Sequence, residues 1–143
     1  MARTPVHLWI VGGLSLLWNA GGAMDYTMTK LQVPSYLEAL PDASVRMLQD
    51  APIWFDFSWP IGVWFSVLGS IFLLGRSRFA STAFALSFAG LIVSAIYTYG
   101  LSDGGAMMAM SGPVAIIFTV SIPVILALLW IYARVMTLKG VLR

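Results

Sequence analysis

The chain has 143 residues, of which 59% are hydrophobic and only 10% charged. A soluble domain carries about 25% charged residues and could not cover its surface with so few. The absence of cysteine excludes disulfides, thiolate metal sites and thiol redox chemistry. The net charge of +2 comes from basic residues spread over segment ends rather than gathered in a stripe, which excludes a nucleic-acid-binding face.

Four long segments are uncharged or nearly so: about 5–24, 53–75, 79–100 and 113–133. A hydrocarbon core of about 30 Å is crossed by about 20 apolar residues in a helix. The pattern therefore predicts one all-α domain over residues 1–143, a four-helix transmembrane bundle. The first segment runs from Pro5 to Met24 between the flanking charges of Arg3 and Asp25, with Trp9 at one interface and Asn19 deep inside. An alternative is a secretory leader, with Arg3 as its basic start, Leu8 to Trp18 as its apolar stretch and Ala20 to Ala23 as a small-residue cleavage zone. Two tryptophans and Asn19 count against that alternative.

Residues 25–52 form the one long loop, holding Asp25, Glu38, Asp42 and Asp50 against Lys30 and Arg46. Pro34, Pro41 and Pro52 divide it, and short interfacial helices are expected over 35–40 and 42–50. Arg46 lies four residues from both Asp42 and Asp50, the spacing of a helical ion pair. The second segment opens with Trp54 and Trp59, carries Asp56 about one turn in and contains Pro60. The stretch Gly75 to Arg78 predicts a tight turn into an adjacent, antiparallel third segment ending in Tyr97 and Tyr99. A short loop, 101–112, holds Asp103. The fourth segment starts at Pro113, carries a kink at Pro123 and closes with Trp130 and Tyr132 before Arg134.

Charge sorts by side. One set of ends carries Arg3, Arg76, Arg78, Arg134, Lys139 and Arg143 and no acid. The other carries all six acids, Asp25, Glu38, Asp42, Asp50, Asp56 and Asp103, with only Lys30 and Arg46. Cytoplasmic loops concentrate Lys and Arg, so both termini are expected in the cytoplasm. Helix association in lipid relies on small residues at four-residue spacing. The expected rows are Ser15, Asn19 and Ala23; Gly62, Ser66 and Ser70; Ser87, Gly90, Ser94 and Thr98; and Ala115, Thr119, Pro123 and Ala127.

The residues carry no legible catalytic, cofactor or metal-ligand set. Asn19 needs hydrogen-bond partners in hydrocarbon, with Ser87, Ser94 or Thr119 as candidates; it serves as interhelical glue or as a substrate contact. Asp25, Asp56 and Asp103 stand at three helix mouths on one side, where they either gather a cation or merely follow the charge bias. Six methionines, Met24, Met28, Met47, Met107, Met108 and Met110, fall toward that same side; soft thioethers suit Cu(I), although methionine more often fills gaps. His7, the lone histidine, reads as an interfacial residue beside Trp9.

The stretch from Leu17 to Thr29 (LWNAGGAMDYTMT), Gly62 to Ser70 with Leu73 to Arg78, and Tyr132 to Arg134 with Gly140 to Arg143 resemble a family of small four-span bacterial inner-membrane proteins. Some members are labelled sugar transporters. The resemblance implies the four-helix fold and a bacterial inner (cytoplasmic) membrane, and it points to Asn19, Asp25 and Tyr26 inside its most distinctive motif. The expected function is a non-enzymatic accessory, assembly or helix-binding membrane subunit, in contact with the lipid bilayer and with a membrane-protein partner or further copies of itself. The alternatives are a small-solute, sugar-like transporter working as an oligomer and, more weakly supported, copper handling through the methionines. A water-wide cavity lined by Asn19, Ser94 and Thr119 would favour transport; a dry core would favour a partner.

Overall fold

A computed structural model describes residues 4–143. Arg3, read above as a flanking charge, lies outside the described residues. These are helical throughout their regular structure: α1 (Val6–Lys30), α2 (Pro34–Leu37), α3 (Asp42–Gln49), α4 (Ile53–Leu74), α5 (Phe79–Ala95), α6 (Gly104–Met110) and α7 (Gly112–Leu138). A π-helical turn, Ile96–Leu101, prolongs α5. Three helices are long and apolar enough to cross a membrane: Ile53–Leu74, Phe79–Leu101 and Gly112–Leu138. α1 is of similar length, but His7, Asn19 and its paired glycines make it less apolar than those three.

α1 runs six residues past the expected end at Met24, so Asp25, Tyr26 and Lys30 are helical rather than loop residues. Nothing in that stretch breaks a helix, and the Thr27 and Thr29 hydroxyls donate back to the Ala23 and Asp25 carbonyls at 2.7 and 2.8 Å. The helix stops at Gln32, whose φ of 51° is left-handed. The Val33 N–H returns to the Met28 carbonyl and the Gln32 N–H to that of Thr29, each at 3.1 Å, which closes the last turn before Pro34. α4 ends the same way at Arg76 (φ 57°) and α7 at Gly140 (φ 69°). Only the last position uses the residue that adopts this conformation without steric cost.

The segments at the acidic end are more ordered than the sequence suggests. Helices stand at Pro34–Leu37 and Asp42–Gln49, close to the expected positions. Arg46 joins neither Asp42 nor Asp50; among the described residues the one ion pair is Lys30–Asp56. The expected 101–112 loop is instead the end of the π turn followed by α6, because Gly104 fits its backbone directly under the Thr98 carbonyl.

The four long helices pack in the order α1, α4, α5, α7, with α4 and α5 in the most extensive contact. Their seam depends on missing side chains. A Cβ added at Gly90 would lie 2.6 Å from the Gly62 nitrogen, and the Ser87 hydroxyl donates to the Gly62 carbonyl at 2.5 Å. Ser58 and Ser94 share a hydrogen bond at 3.0 Å one turn away. Three of the expected small-residue rows therefore face neighbours: Ser15, Asn19, Ala23, Ser66, Ser70, Ser87, Gly90 and Ser94 are all buried. The fourth row does not. α7 buries Leu126, Leu129, Ala133 and Met136, whereas Ala115, Thr119, Pro123 and Ala127 are only half-buried.

The difference arises because α7 packs into a buried core at one end only. Leu8, Leu73, Ala80, Phe84, Leu126, Leu129, Ala133 and Met136 form a tight core at the end of the bundle that carries Arg76, Arg78 and Lys139. The tail closes this core: Val141 and Leu142 are buried, and Arg143 exchanges backbone hydrogen bonds with the Arg76–Arg78 turn at 2.8 and 3.0 Å. At the acidic end α7 leans on no comparable core. Leucine, isoleucine and valine cover the outside, among them Leu14, Leu17, Val114, Ile117 and Leu128.

Candidate functional site

Where the packing loosens, an open-sided cavity of about 410 Å³ lies among the four long helices. That lies within the range of about 300–1,000 Å³ usual for small-molecule sites, which bundles place between their helices. Trp18, Asn19, Gly22 and Asp25 of α1 form one wall, and Phe118, Ile122 and Leu126 of α7 the opposite one; Gly62, Ser66, Ser87 and Ser94 form the back. α1 and α7 do not pack along each other. They meet through side chains, with Trp18 and Phe118 at a ring separation of 5.5 Å and the His7 Nδ1 2.5 Å from the Tyr132 hydroxyl. The side of the cavity between α1 and α7 is therefore bordered by rotatable side chains rather than by backbone.

Asn19 holds the floor. Its Nδ2 donates to the Ser66 carbonyl at 3.1 Å and to the Ser70 hydroxyl at 2.9 Å, and Ser70 in turn donates to the Ser66 carbonyl at 3.1 Å. The expected cross-helix role is present, but with α4 as partner rather than Ser87, Ser94 or Thr119. The reason is geometric: α1 packs on α4, which puts Asn19 beside the Ser66–Ser70 step. Ser87 and Ser94 line the same cavity without touching Asn19, and Thr119 is not part of the lining.

The acidic residues at this end of the bundle do not converge. Asp25, at the cavity mouth, accepts the Tyr36 hydroxyl. Asp56 pairs with Lys30, whose ammonium also lies over the Trp59 ring at 5.8 Å. Tyr26 packs edge-on against Trp59 with ring centres 5.1 Å apart. Asp103 stands exposed before α6, where its carbonyl accepts the Met107 N–H. Among the described residues no three of His, Asp or Glu come together as a metal site. Met107 Sδ accepts the Ser44 hydroxyl at 3.8 Å, while Met24 and Met110 project outward. Sequence reasoning singled out Asn19, Asp25 and Tyr26 but missed Trp18, Gly22 and Phe118. Their only signal was position on helix faces that depend on how α1 and α7 are spaced.

The Asp25–Tyr36 contact is testable by titration. The carboxylate that accepts the phenol hydrogen bond, together with burial and the nearby negative charge, pushes the Tyr36 hydroxyl from the ordinary 10.0 up to about 12. A raised folded value means that the contact stabilises fully below pH 10.0 and is lost as pH rises through about 12. A tyrosinate absorbance titration of the protein minus that of Tyr36→Phe is expected to show one group ionising near pH 12; a difference curve centred near 10 would mean that the contact is absent.

Comparison of the chain with known protein families, with curated proteins and with solved structures found no match.

Proposed function

We propose that this is a four-pass protein of the bacterial inner membrane, with both termini cytoplasmic, acting as a non-catalytic, lipid-facing accessory subunit. Its cleft between α1 and α7 takes up the apolar part of an amphiphile from the bilayer. The observation that carries this reading is the 410 Å³ cavity, lined mainly by apolar and aromatic side chains, with one side, between α1 and α7, that lacks backbone packing. A lining of this kind favours an amphiphile over a free polar solute.

Two observations support α1 as the fourth crossing. Its 25 residues extend about 37 Å, more than the hydrocarbon core requires. Its buried residues Leu8, Gly12, Ser15, Asn19 and Ala23 follow one face against α4, and the amide in mid-helix has its donors satisfied there. The separation of basic from acidic ends supports the orientation.

Native mass spectrometry of the protein released from mild detergent tests the reading. One amphiphile is expected to remain bound per chain. Gly22 lines the cavity, and a Cβ there meets nothing within 4 Å, so Gly22→Leu starts from open space and is expected to take up part of the cleft. This variant is expected to lose the adduct. Equal retention by both proteins would sink the reading.

A further inference from the structure

We infer that the cleft selects an amphiphile whose polar part donates a hydrogen bond, such as a long-chain alcohol, over one that only accepts. The inference rests on the preceding reading of the cleft and adds the chemistry of its guest. It comes from counting where the protons of the lining go.

The orientation of the Asn19 amide is fixed, because the Ser66 carbonyl can only accept and must face Nδ2. Both Nδ2 protons are then committed, to the Ser66 carbonyl and the Ser70 hydroxyl. The amide oxygen Oδ1 points the other way and accepts no hydrogen bond among the described residues. It is also not sealed off: among the described residues the one fully buried side-chain nitrogen or oxygen without a partner is Arg76 Nε, remote from the cavity. Asn19 is thus nine-tenths buried, lines the cavity and keeps a free acceptor.

The neighbouring hydroxyls repeat the pattern. Ser66 donates to the Val63 carbonyl at 2.7 Å, Ser87 to that of Gly62 at 2.5 Å and Ser94 to that of Gly90 at 2.9 Å. Each has spent its one proton on its own or the adjacent helix, which leaves only oxygen lone pairs for a guest. Asp25 at the mouth is a further acceptor, already holding one phenol proton. The only other polar hydrogens on the lining are the indole N–H groups of Trp18 and Trp59.

At the Asn19 oxygen the wall discriminates by pairing, whereas the indole N–H groups of Trp18 and Trp59 offer a donor to alcohol, ether and acid alike. In hydrocarbon no water satisfies the Asn19 oxygen, so a hydroxyl that reaches it gains a partner otherwise missing. An ether oxygen in the same place sets acceptor against acceptor. A fatty carboxylate adds repulsion from Asp25 at the entrance. Sites built to hydrogen-bond a substrate group reject analogues lacking it far more strongly than apolar pockets reject a change of size.

The test uses one chain length and three head groups: a long-chain 1-alkanol, its methyl ether and the matching fatty acid, each titrated into detergent-solubilised protein with tryptophan fluorescence as readout. The alkanol is expected to bind about tenfold more tightly than the ether, the loss of roughly one hydrogen bond. In Asn19→Leu the preference for the alkanol over the ether is expected to disappear, whatever the change in binding that both share. Equal binding of alkanol and ether to the unaltered protein overturns the inference and leaves the cleft as an unselective apolar site. Tighter binding of the ether or the fatty acid overturns it as well. Binding of none of the three overturns the underlying reading of the cleft. The comparison on the unaltered protein decides the matter even where Asn19→Leu fails to fold.

Discussion

Gly90→Ala is expected to destabilise the protein by about 1–3 kcal/mol, the usual cost of forcing extra volume into a packed interface. The added Cβ would stand 2.6 Å from the Gly62 nitrogen and 2.8 Å from the Ser58 carbonyl oxygen. Both are backbone atoms, so no rotamer change relieves the clash and α4 must move away from α5. That movement stretches the Ser87–Gly62 hydrogen bond on one side and the Ser58–Ser94 bond on the other, at the centre of the largest helix contact in the molecule. Gly69 is a milder case, because its neighbour at 2.7 Å is the Phe84 ring, a side chain with some freedom to shift. Gly13 is the control. A Cβ there meets nothing within 4 Å, and alanine is favoured over glycine in a helix interior by up to about 1 kcal/mol. Thermal unfolding in detergent, followed by far-ultraviolet circular dichroism, is expected to move in opposite directions for Gly90→Ala and Gly13→Ala. Parallel shifts would mean that α4 and α5 do not meet at Gly62 and Gly90.

Much of this seam was legible in the sequence. Glycine and serine at four-residue spacing in an apolar stretch have one strong physical reading, close helix approach, and Gly62, Ser66, Ser87, Gly90 and Ser94 all follow it. Ala115, Thr119, Pro123 and Ala127 have the same spacing and do not. Spacing marks a face that tolerates contact; whether a partner arrives depends on the neighbours. α7 is drawn in by the core around Leu73, Phe84 and Met136 and by the tail residues Val141 and Leu142. At its other end no such core exists. The cavity was illegible for the same reason: it is the space left by one-ended packing, and no local pattern encodes it. The end of α1 was missed because Asp25 looked like a boundary charge. A helix continues past a charge where the backbone bonds persist, and here they persist to Gln32. Asn19 was legible as a residue that must find partners, but their identity followed from which helix lies beside α1.

Asn19→Leu is expected to cost about 1–2 kcal/mol, since interhelical hydrogen bonds in membranes average about 0.6 and reach about 1.7 kcal/mol each, and two are lost. The figure matters more for α1 than it would for α4, α5 or α7. α1 is the least apolar of the four long helices, and its buried residues are Gly12, Ser15, Asn19, Ala23 and Thr29, with Leu8 the one large apolar side chain. Dispersion across so slim a face is modest, so the polar step at Ser66 and Ser70 carries a larger share of what holds α1 in register. A double-mutant cycle isolates it. Ser70→Ala removes one acceptor of the Asn19 amide while leaving the Ser66 carbonyl, and the pair is expected to show a coupling of about 0.5–1 kcal/mol in denaturation experiments. Additive effects would mean that the two side chains do not touch. The same cycle separates the two halves of the amide. The coupling with Ser70 reports on Nδ2, which faces the protein, and is independent of what occupies the cavity. Guest selection is carried by Oδ1 on the opposite edge. One side chain thus fixes the helix and presents the acceptor, and its orientation for the second task is set by the hydrogen bonds of the first.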